Sequence, residues 1–248
     1  MTSQPPAPNP SGTPYERGRV DERLALAVRD NAEWCERMCR AHGLPGAFGE
    51  RVWTNPRRTP LYYPDAVTLS PQATAADVLG AIDTGSGASV KDSFALLDLP
   101  GFEVLFDAQW IHREAPEPGE LPGRDDGGLV WEAVADTGGL AEWERACFSG
   151  EVTGLFPPAL LPEVTVLAGR AAGDVVCGAV LNPGEHAVGV SNVFAVPGHD
   201  PGTAWAGVLT QAAALFPGLP LVGYESDPAA AEKHGFRTIG PLRIWLKP

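Results

Sequence analysis

The sequence predicts an α/β or α+β fold, in which a mixed sheet carries helices on its faces. Hydrophobic residues make up 44% of the 248 residues and charged residues 20%, which is typical of a globular chain with a sizeable core. The chain has 29 glycines and 25 prolines, so its elements should be short and separated by frequent turns. From residue 128 onward, strand-length apolar runs and helical patterns follow in the order β-α-β-β-β-α-β-α-β.

Composition divides the chain into four segments. Residues 1–19 are rich in Pro, Ser and Thr and predict a disordered tail. Residues 20–115 predict a smaller N-terminal lobe, and residues 128–248 predict the larger domain. Residues 116–127 combine Pro and Gly with acidic side chains, which is typical of a linker. We expect a ligand site in the cleft between the two lobes.

The N-terminal lobe should contain two helices and two strands. Apolar residues at helical spacing predict a helix over Asp21–His42, closed by Gly43. Thr74 should cap a second helix that ends at Ile82. Residues 52–71, with their prolines and aromatics, predict extended edge segments. The expected strands are Phe94–Leu97 and Phe102–His112, the second with one buried face made by Val104, Phe106, Ala108 and Trp110.

The larger domain should contain six strands and three helices. The expected strands are Leu129–Val134, Val164–Arg170, Asp174–Leu181, Ala187–Val196, Leu221–Glu225 and Arg237–Leu246. The expected helices are Gly139–Cys147, Thr203–Phe216 and Pro228–His234, the last closed by Gly235.

Charge and hydropathy exclude several classes of partner. Acidic residues outnumber basic ones 31 to 18, for a net charge of −13, and no basic stripe is present. Nucleic acid and anionic membrane surfaces are therefore poor partners. The longest uncharged run, Pro201–Tyr224, is broken by Pro217 and Pro220 and predicts a core helix. The N-terminus lacks the basic and apolar regions of a signal peptide, so we expect a cytoplasmic protein. The sequence leaves its oligomeric state open.

The four cysteines do not suggest a disulfide framework or a metal site. Cys35, Cys39 and His42 share one helical face, but a metal site would need a fourth ligand and usually tighter pairs. Cys147 and Cys177 lie within apolar patterns. We therefore expect four reduced, largely buried thiols and no bound metal.

Residues 128–248 contain the strand VSNVFAVP (Val190–Pro197), the helix AWAGVLTQAAALFP after it, and the strand-helix-strand unit LVGYESDPAAAEKHGFRTIGPLRIWL. Through these segments the chain resembles the GNAT superfamily, the N-acetyltransferases that use acetyl-CoA. This resemblance implies a GNAT-like mixed central sheet, a site for acetyl-CoA or another acyl-CoA, and acyl transfer to a small amine. The N-terminal lobe would be a diverged companion half.

The resemblance also implies which residues hold the cofactor. Backbone groups of the strand would orient the acyl carbonyl and the pantetheine arm, and the start of the next helix would hold the pyrophosphate. Helix N-termini suit this role because their free N–H groups and dipole attract anions. The residues implied are Val193, Phe194, Ala195 and Val196 on the strand, and Gly202, Thr203, Ala204, Trp205 and Ala206 at the helix.

The chain departs from the superfamily pattern at two places. The usual loop reads Arg/Gln-x-x-Gly-x-Gly/Ala, whereas here Pro201 replaces the basic or amide residue and Ala204 replaces the first Gly. Many relatives have a Tyr that can protonate the leaving thiolate at the position where this chain has Ala231. Tyr224 is the nearest substitute for this general acid.

Four further residues are candidates for catalysis. Glu225 is the preferred general base and Asp227 the alternative, although either carboxylate could instead cap the short helix that follows. Asn192 and its neighbour Ser191 are polar residues in the middle of an apolar strand. They either belong to the catalytic site or are polar groups whose hydrogen bonds are made within the protein where the strand is irregular.

Two functions therefore stay open. The leading hypothesis is an acyl-CoA-dependent N-acetyltransferase that acts on a small amine, and the rival is a GNAT-like binding or regulatory module without catalysis. The adjacent pair Arg57 and Arg58 would recognise a carboxylate or the 3′-phosphate of CoA, or lie solvated in a loop.

Overall fold

The computed structural model describes residues 20–115 and 128–248. Before the gap it contains α1 (Glu22–Ala41), β1 (Ala47–Phe48), β2 (Val52–Thr54), β3 (Ala66–Thr68), α2 (Ala75–Leu79), β4 (Ser89–Asp92) and β5 (Glu103–Arg113). After it come β6 (Val130–Ala133), α3 (Thr137–Cys147), a 3₁₀ turn (Pro158–Leu160), β7 (Thr165–Ala171), β8 (Asp174–Pro183), β9 (Val188–Ala195), α4 (Pro201–Leu215), β10 (Leu221–Glu225), α5 (Ala229–Lys233) and β11 (Arg237–Leu246).

All of these strands join one mixed sheet. Their order across the sheet is β1-β2-β3-β4-β11-β5-β10-β9-β8-β7-β6. The pairs β3–β4 and β9–β10 are parallel and the other neighbours are antiparallel. The last strand, β11, lies between β4 and β5, so segments from both sides of residues 116–127 alternate in the sheet. The predicted tail and linker lie outside the described residues.

Helices cover both faces of the sheet. Val222 of β10 packs in a cluster with residues of α1, whereas its neighbour Leu221 packs with α4 and α5. Consecutive strand residues point to opposite faces, so α1 lies on one face and α4 and α5 lie on the other. Trp143 of α3 shares a core cluster with Trp34 of α1, which places α3 on the same face as α1.

Local sequence signals set the helix ends. The Asp21 carboxylate accepts the Arg23 N–H at the start of α1, and Gly43 follows the helix with a φ of +71°. Thr74 and Asp77 form a reciprocal capping box at the start of α2. These helix starts confirm the predictions from sequence, although α2 ends at Leu79 and not at Ile82. No helix in the two described stretches is long and apolar enough to cross a membrane.

One predicted strand of the N-terminal lobe and part of one predicted buried face were wrong. The expected strand Phe94–Leu97 is a turn, because the Asp92 carboxylate accepts the backbone N–H groups of Phe94 and Leu97. The strand lies just before it, at Ser89–Asp92. On β5, Ala108 and Trp110 are buried as expected, but Val104 and Phe106 are 45% and 39% exposed. The exposed end of β5 borders a cavity described below.

Candidate active site

The parallel strands β9 and β10 separate after a short paired stretch. Leu221 pairs with Val188 and Val222 with Gly189, and the pairing ends there. Beyond that point β9 stays paired with β8, and β10 stays paired with β5. The facing edges of β9 and β10 therefore present backbone N–H and C=O groups that no neighbouring strand takes up. We call this opening the splay.

A bulge in β9 lies at the splay. Between the pairs Val180–Ser191 and Gly178–Phe194, β9 advances three residues while β8 advances two. Asn192 accommodates the extra residue with a φ of +52°. The Asn192 side chain forms a hydrogen bond with the thiol of Cys147 at the end of α3. Burial raises the pKa of that thiol to about 12. The neighbouring Ser191 hydroxyl is buried without a hydrogen-bond partner among the described residues.

A cavity of about 220 Å³ opens at the splay. It is lined by Val190, Ser191, Asn192 and Val193 from β9, by Tyr224 and Glu225 from β10, and by Asn31, Trp34 and Cys35 from α1. A larger cavity of about 590 Å³ adjoins it and has a mainly apolar wall. The two cavities share Tyr62, Tyr63, Pro64, Lys91 and Tyr224 as wall residues, so they adjoin each other, and we call the pair the groove.

Tyr224 and Glu225 reach the cavity from opposite faces of the sheet. Tyr224 packs edge-on against Trp110, with ring centres 5.7 Å apart, in the cluster that faces α1. By strand alternation, Glu225 extends from the face that carries α4 and α5. The cavity therefore passes through the splay and connects the two faces.

The environment of Glu225 suits a general base. Burial, reinforced by the nearby Asp227 carboxylate, raises the pKa of Glu225 to about 7. Asp227 takes the capping role, because its carboxylate accepts the Ala229 N–H at 3.1 Å at the start of α5. Of the two carboxylates considered from the sequence, Glu225 thus lines the cavity and Asp227 caps the helix.

The predicted cofactor residues divide into two groups at α4. Gly202, Thr203 and Ala206 line a cavity of about 470 Å³ at the start of this helix. Ala204 and Trp205 are buried on the other side, and the Trp205 ring packs 5.1 Å from Phe236. Lys233 and His234 of the α5 region also line this cavity, and the sequence alone did not associate them with it.

The start of α4 offers an anion few donors. Pro201 has no N–H, and the N–H groups of Thr203 and Ala204 donate to the Asp200 carbonyl at 3.1 and 3.4 Å. The Gly202 N–H has no acceptor among the described residues. The Asp200 carboxylate makes no capping hydrogen bond and lines the same cavity, where it would repel a phosphate.

The splay and the start of α4 differ in how well they fit the parts of an acyl-CoA molecule. The open backbone edges of the splay match the amide groups of a pantetheine arm. Val193, Phe194 and Ala195 lie on the β9 edge beyond the last pair with β10, and the Val196 N–H donates to Val176. At the pyrophosphate end, Lys233 supplies positive charge while Asp200 opposes it. The splay fits the cofactor better than the helix start does.

The four cysteines are free thiols, and Cys35, Cys39 and Cys177 are buried. Within residues 20–115 and 128–248, no group of three His, Cys, Asp or Glu side chains is placed to hold a metal ion.

Comparisons with known proteins identify the fold. No family model and no curated protein matches the sequence. A GCN5-related N-acetyltransferase from Kribbella flavida superposes with a TM-score of 0.60 at 15% identity, over 90% of this chain and 96% of that one. A GNAT-family protein from Novosphingobium aromaticivorans gives 0.57 at 18% identity, over 89% and 99%. At such identities the likeness shows the fold, and it confirms the predicted mixed sheet flanked by helices.

Proposed function

We propose that this chain, which has the GNAT fold, transfers an acyl group from acyl-CoA to a small amine. One observation carries the proposal: the splay between β9 and β10 opens into a cavity that holds both a polarisable tyrosine, Tyr224, and a carboxyl group with a near-neutral pKa, Glu225. A neutral-pH base at the end of a pocket is the arrangement that proton abstraction from an amine requires.

The residues that would hold acyl-CoA follow from the splay. Backbone groups of Val193, Phe194 and Ala195 would bind the pantetheine arm, and the N–H groups around the Asn192 bulge would orient the acyl carbonyl. Gly202, Thr203 and Lys233 would meet the pyrophosphate. Acyl-CoA supplies a thioester, at whose carbonyl carbon the amine nitrogen replaces the sulfur.

Two side chains would move the protons of this exchange. Glu225 accepts a proton from the amine as its nitrogen attacks, directly or through one water. The Tyr224 hydroxyl donates a proton to the departing sulfur. Because the two side chains approach from opposite faces of the sheet, the amine can enter from one face while the thioester is held from the other.

The charge of the protein supports an amine as acceptor. A net charge of −13 attracts small cations and disfavours polyanions, so we propose a small-molecule amine and no nucleic-acid partner. A cytoplasmic location stays a prediction.

The rival function, a GNAT-like binding or regulatory module, has one observation in its favour. Pro201 and Asp200 remove a donor and add a negative charge where the family binds pyrophosphate. A module without catalysis would keep the cavity and need no acyl-CoA.

Release of free thiol from acetyl-CoA, measured against a panel of primary amines, separates the two functions. The proposed enzyme releases thiol only with an amine present, and Glu225→Gln lowers that rate about tenfold or more. Asp227→Asn, whose amide can still cap α5, is the matched control and should keep the activity. Thiol release that no amine stimulates would favour the rival.

A further inference from the structure

Lys91 carries a charge that the protein buries without a carboxylate partner. It lies in the middle of β4, and only 4% of its surface is exposed. Its ammonium donates to Asn31 Oδ1 at 2.7 Å and lies 4.3 Å from the centre of the Tyr224 ring. Neither partner is charged, and Lys91 forms no ion pair with any described residue. Burying an ammonium in this way is costly unless an anion completes the site.

Lys91 lies in the wall of two cavities. It lines both the cavity at the splay and the larger apolar cavity. Lys91 is thus a wall residue common to two cavities, of which one is also lined by Glu225 and the other is an apolar chamber. That chamber is walled by Leu61, Leu105, Phe106, Ile244 and Leu246.

The other cation of the groove is already neutralised. Arg58 lines the apolar cavity, but it forms an ion pair with the buried Asp65 and lies 3.8 Å from Asp83. Its guanidinium thus already has two carboxylate neighbours, Asp65 just before β3 and Asp83 after α2. Lys91 is the cationic group of the groove, within the described part of the chain, that lacks a carboxylate.

We propose that Lys91 binds the carboxylate of the acceptor, so that the substrate class is an α-amino acid with a large apolar side chain. The carboxylate meets Lys91 where the two cavities adjoin, the amine on the adjacent carbon turns toward Glu225, and the side chain fills the apolar cavity. Asn31 holds the ammonium in place by accepting its hydrogen bond, and the Tyr224 ring packs against the ammonium. This inference rests on the proposed function in one respect, because the amino acid is an acceptor only if the chain transfers acyl groups. Binding of the amino acid at Lys91 is a separate property.

The test compares amino acids with their decarboxylated analogues by calorimetric titration of the full chain, with and without CoA. The probes are L-phenylalanine against 2-phenylethylamine, and L-leucine against 3-methylbutylamine. We expect at least one amino acid to bind about tenfold or more tightly than its analogue, which corresponds to one hydrogen bond between charged groups. Equal binding within both pairs, or no binding of either amino acid, overturns the proposal.

Two variants assign the preference to Lys91. Lys91→Met removes the charge and keeps an unbranched side chain, so the preference should fall to about twofold or less. Asn31→Asp keeps the lysine but supplies an internal carboxylate, and it should abolish the preference as well. Lys247→Met is the matched control, because Lys247 lines neither cavity and donates to the Gly101 carbonyl. A preference that survives in Lys91→Met refutes the assignment.

The outcome is independent of acyl transfer. Glu225→Gln should lower thiol release but keep the carboxylate preference, since Glu225 acts on the amine. If the chain releases no thiol from acetyl-CoA yet prefers the amino acids, the proposed function fails and the carboxylate site stands. If the chain acylates amines but shows no preference for those with a carboxylate, the proposed function stands and the carboxylate site fails.

Discussion

The Lys91 ammonium lies 4.3 Å from the centre of the Tyr224 ring, which joins strand β4 to strand β10 across the floor of the groove. Tyr224 thereby has two separable parts. Its ring supports the ammonium by a cation–π contact, and its hydroxyl is the proposed proton donor.

Substitutions of Tyr224 should separate these two parts. Tyr224→Phe keeps the ring, so amino-acid binding should change by less than about twofold while turnover falls about tenfold or more. Tyr224→Leu removes the ring as well and should weaken binding. Binding by calorimetry and turnover by thiol release check both variants. Wild-type turnover in Tyr224→Phe would exclude the hydroxyl as the acid.

The rate should depend on the ionisation of Glu225. Its pKa is raised to about 7 by burial first and Asp227 second, and only the carboxylate form accepts a proton. Turnover should therefore rise with pH and level off above about 7. Asp227→Asn removes the neighbouring charge, so its midpoint should move to lower pH with the same plateau. A flat pH profile from 5 to 8 would contradict this role.

Glu225 should also make stability pH-dependent. A carboxyl group whose pKa is raised by folding binds more protons in the folded state, so stability falls as pH rises from about 4.5 to 7. Glu225→Gln removes this penalty. The variant should melt at a higher temperature than wild type at pH 8, and the gain should largely disappear at pH 4. Thermal unfolding at the two pH values tests the sign, and an unchanged difference would contradict the buried carboxyl.

Asp200 should weaken cofactor binding. Its carboxylate shares the cavity at the start of α4 with Gly202 and Thr203, where a pyrophosphate would approach. Asp200→Asn removes the repulsion and should tighten binding of CoA by about threefold or more. Asp174→Asn, an exposed site at the start of β8, is the matched control. Affinity unchanged relative to that control would place the pyrophosphate elsewhere.

Gly207 is required for close packing of α4 on β6. A methyl group at this position would overlap the indole ring of Trp131. Gly-to-Ala in a helix usually stabilises by about 1 kcal/mol, but overpacking of this kind costs about 1–3 kcal/mol. Gly207→Ala should therefore lower the melting temperature, whereas the exposed Ala214→Ser should leave it nearly unchanged. A higher melting temperature for Gly207→Ala would show that the ring can move aside.

The strands of residues 128–248 were predictable because their signals are local. Strands Leu221–Glu225 and Arg237–Leu246 were predicted with the bounds that the structure shows, since apolar runs and turn residues delimit them. The insertion of β11 between β4 and β5 depends on contacts far apart in the chain, which no window of sequence contains.

The site was predictable only in part. The candidates Tyr224, Glu225 and Asn192 line one cavity, and their catalytic roles stay predictions. Lys91 was missed because its strand reads Ser-Val-Lys-Asp, in which polar residues obscure the strand pattern. Its burial comes from packing beneath α1, a tertiary effect that spacing does not reveal. One signal was present: Lys91 is one of three lysines in a chain with 15 arginines.

The central claim is that the splay binds acyl-CoA, and calorimetric titration with acetyl-CoA and with CoA tests it most directly. We predict micromolar binding of both to the wild type, and loss of binding in Thr203→Glu, which places a carboxylate against the pyrophosphate. Thr210→Glu, farther along α4, is the control for added charge. No detectable heat at millimolar ligand, or equal affinity in Thr203→Glu, would contradict the account.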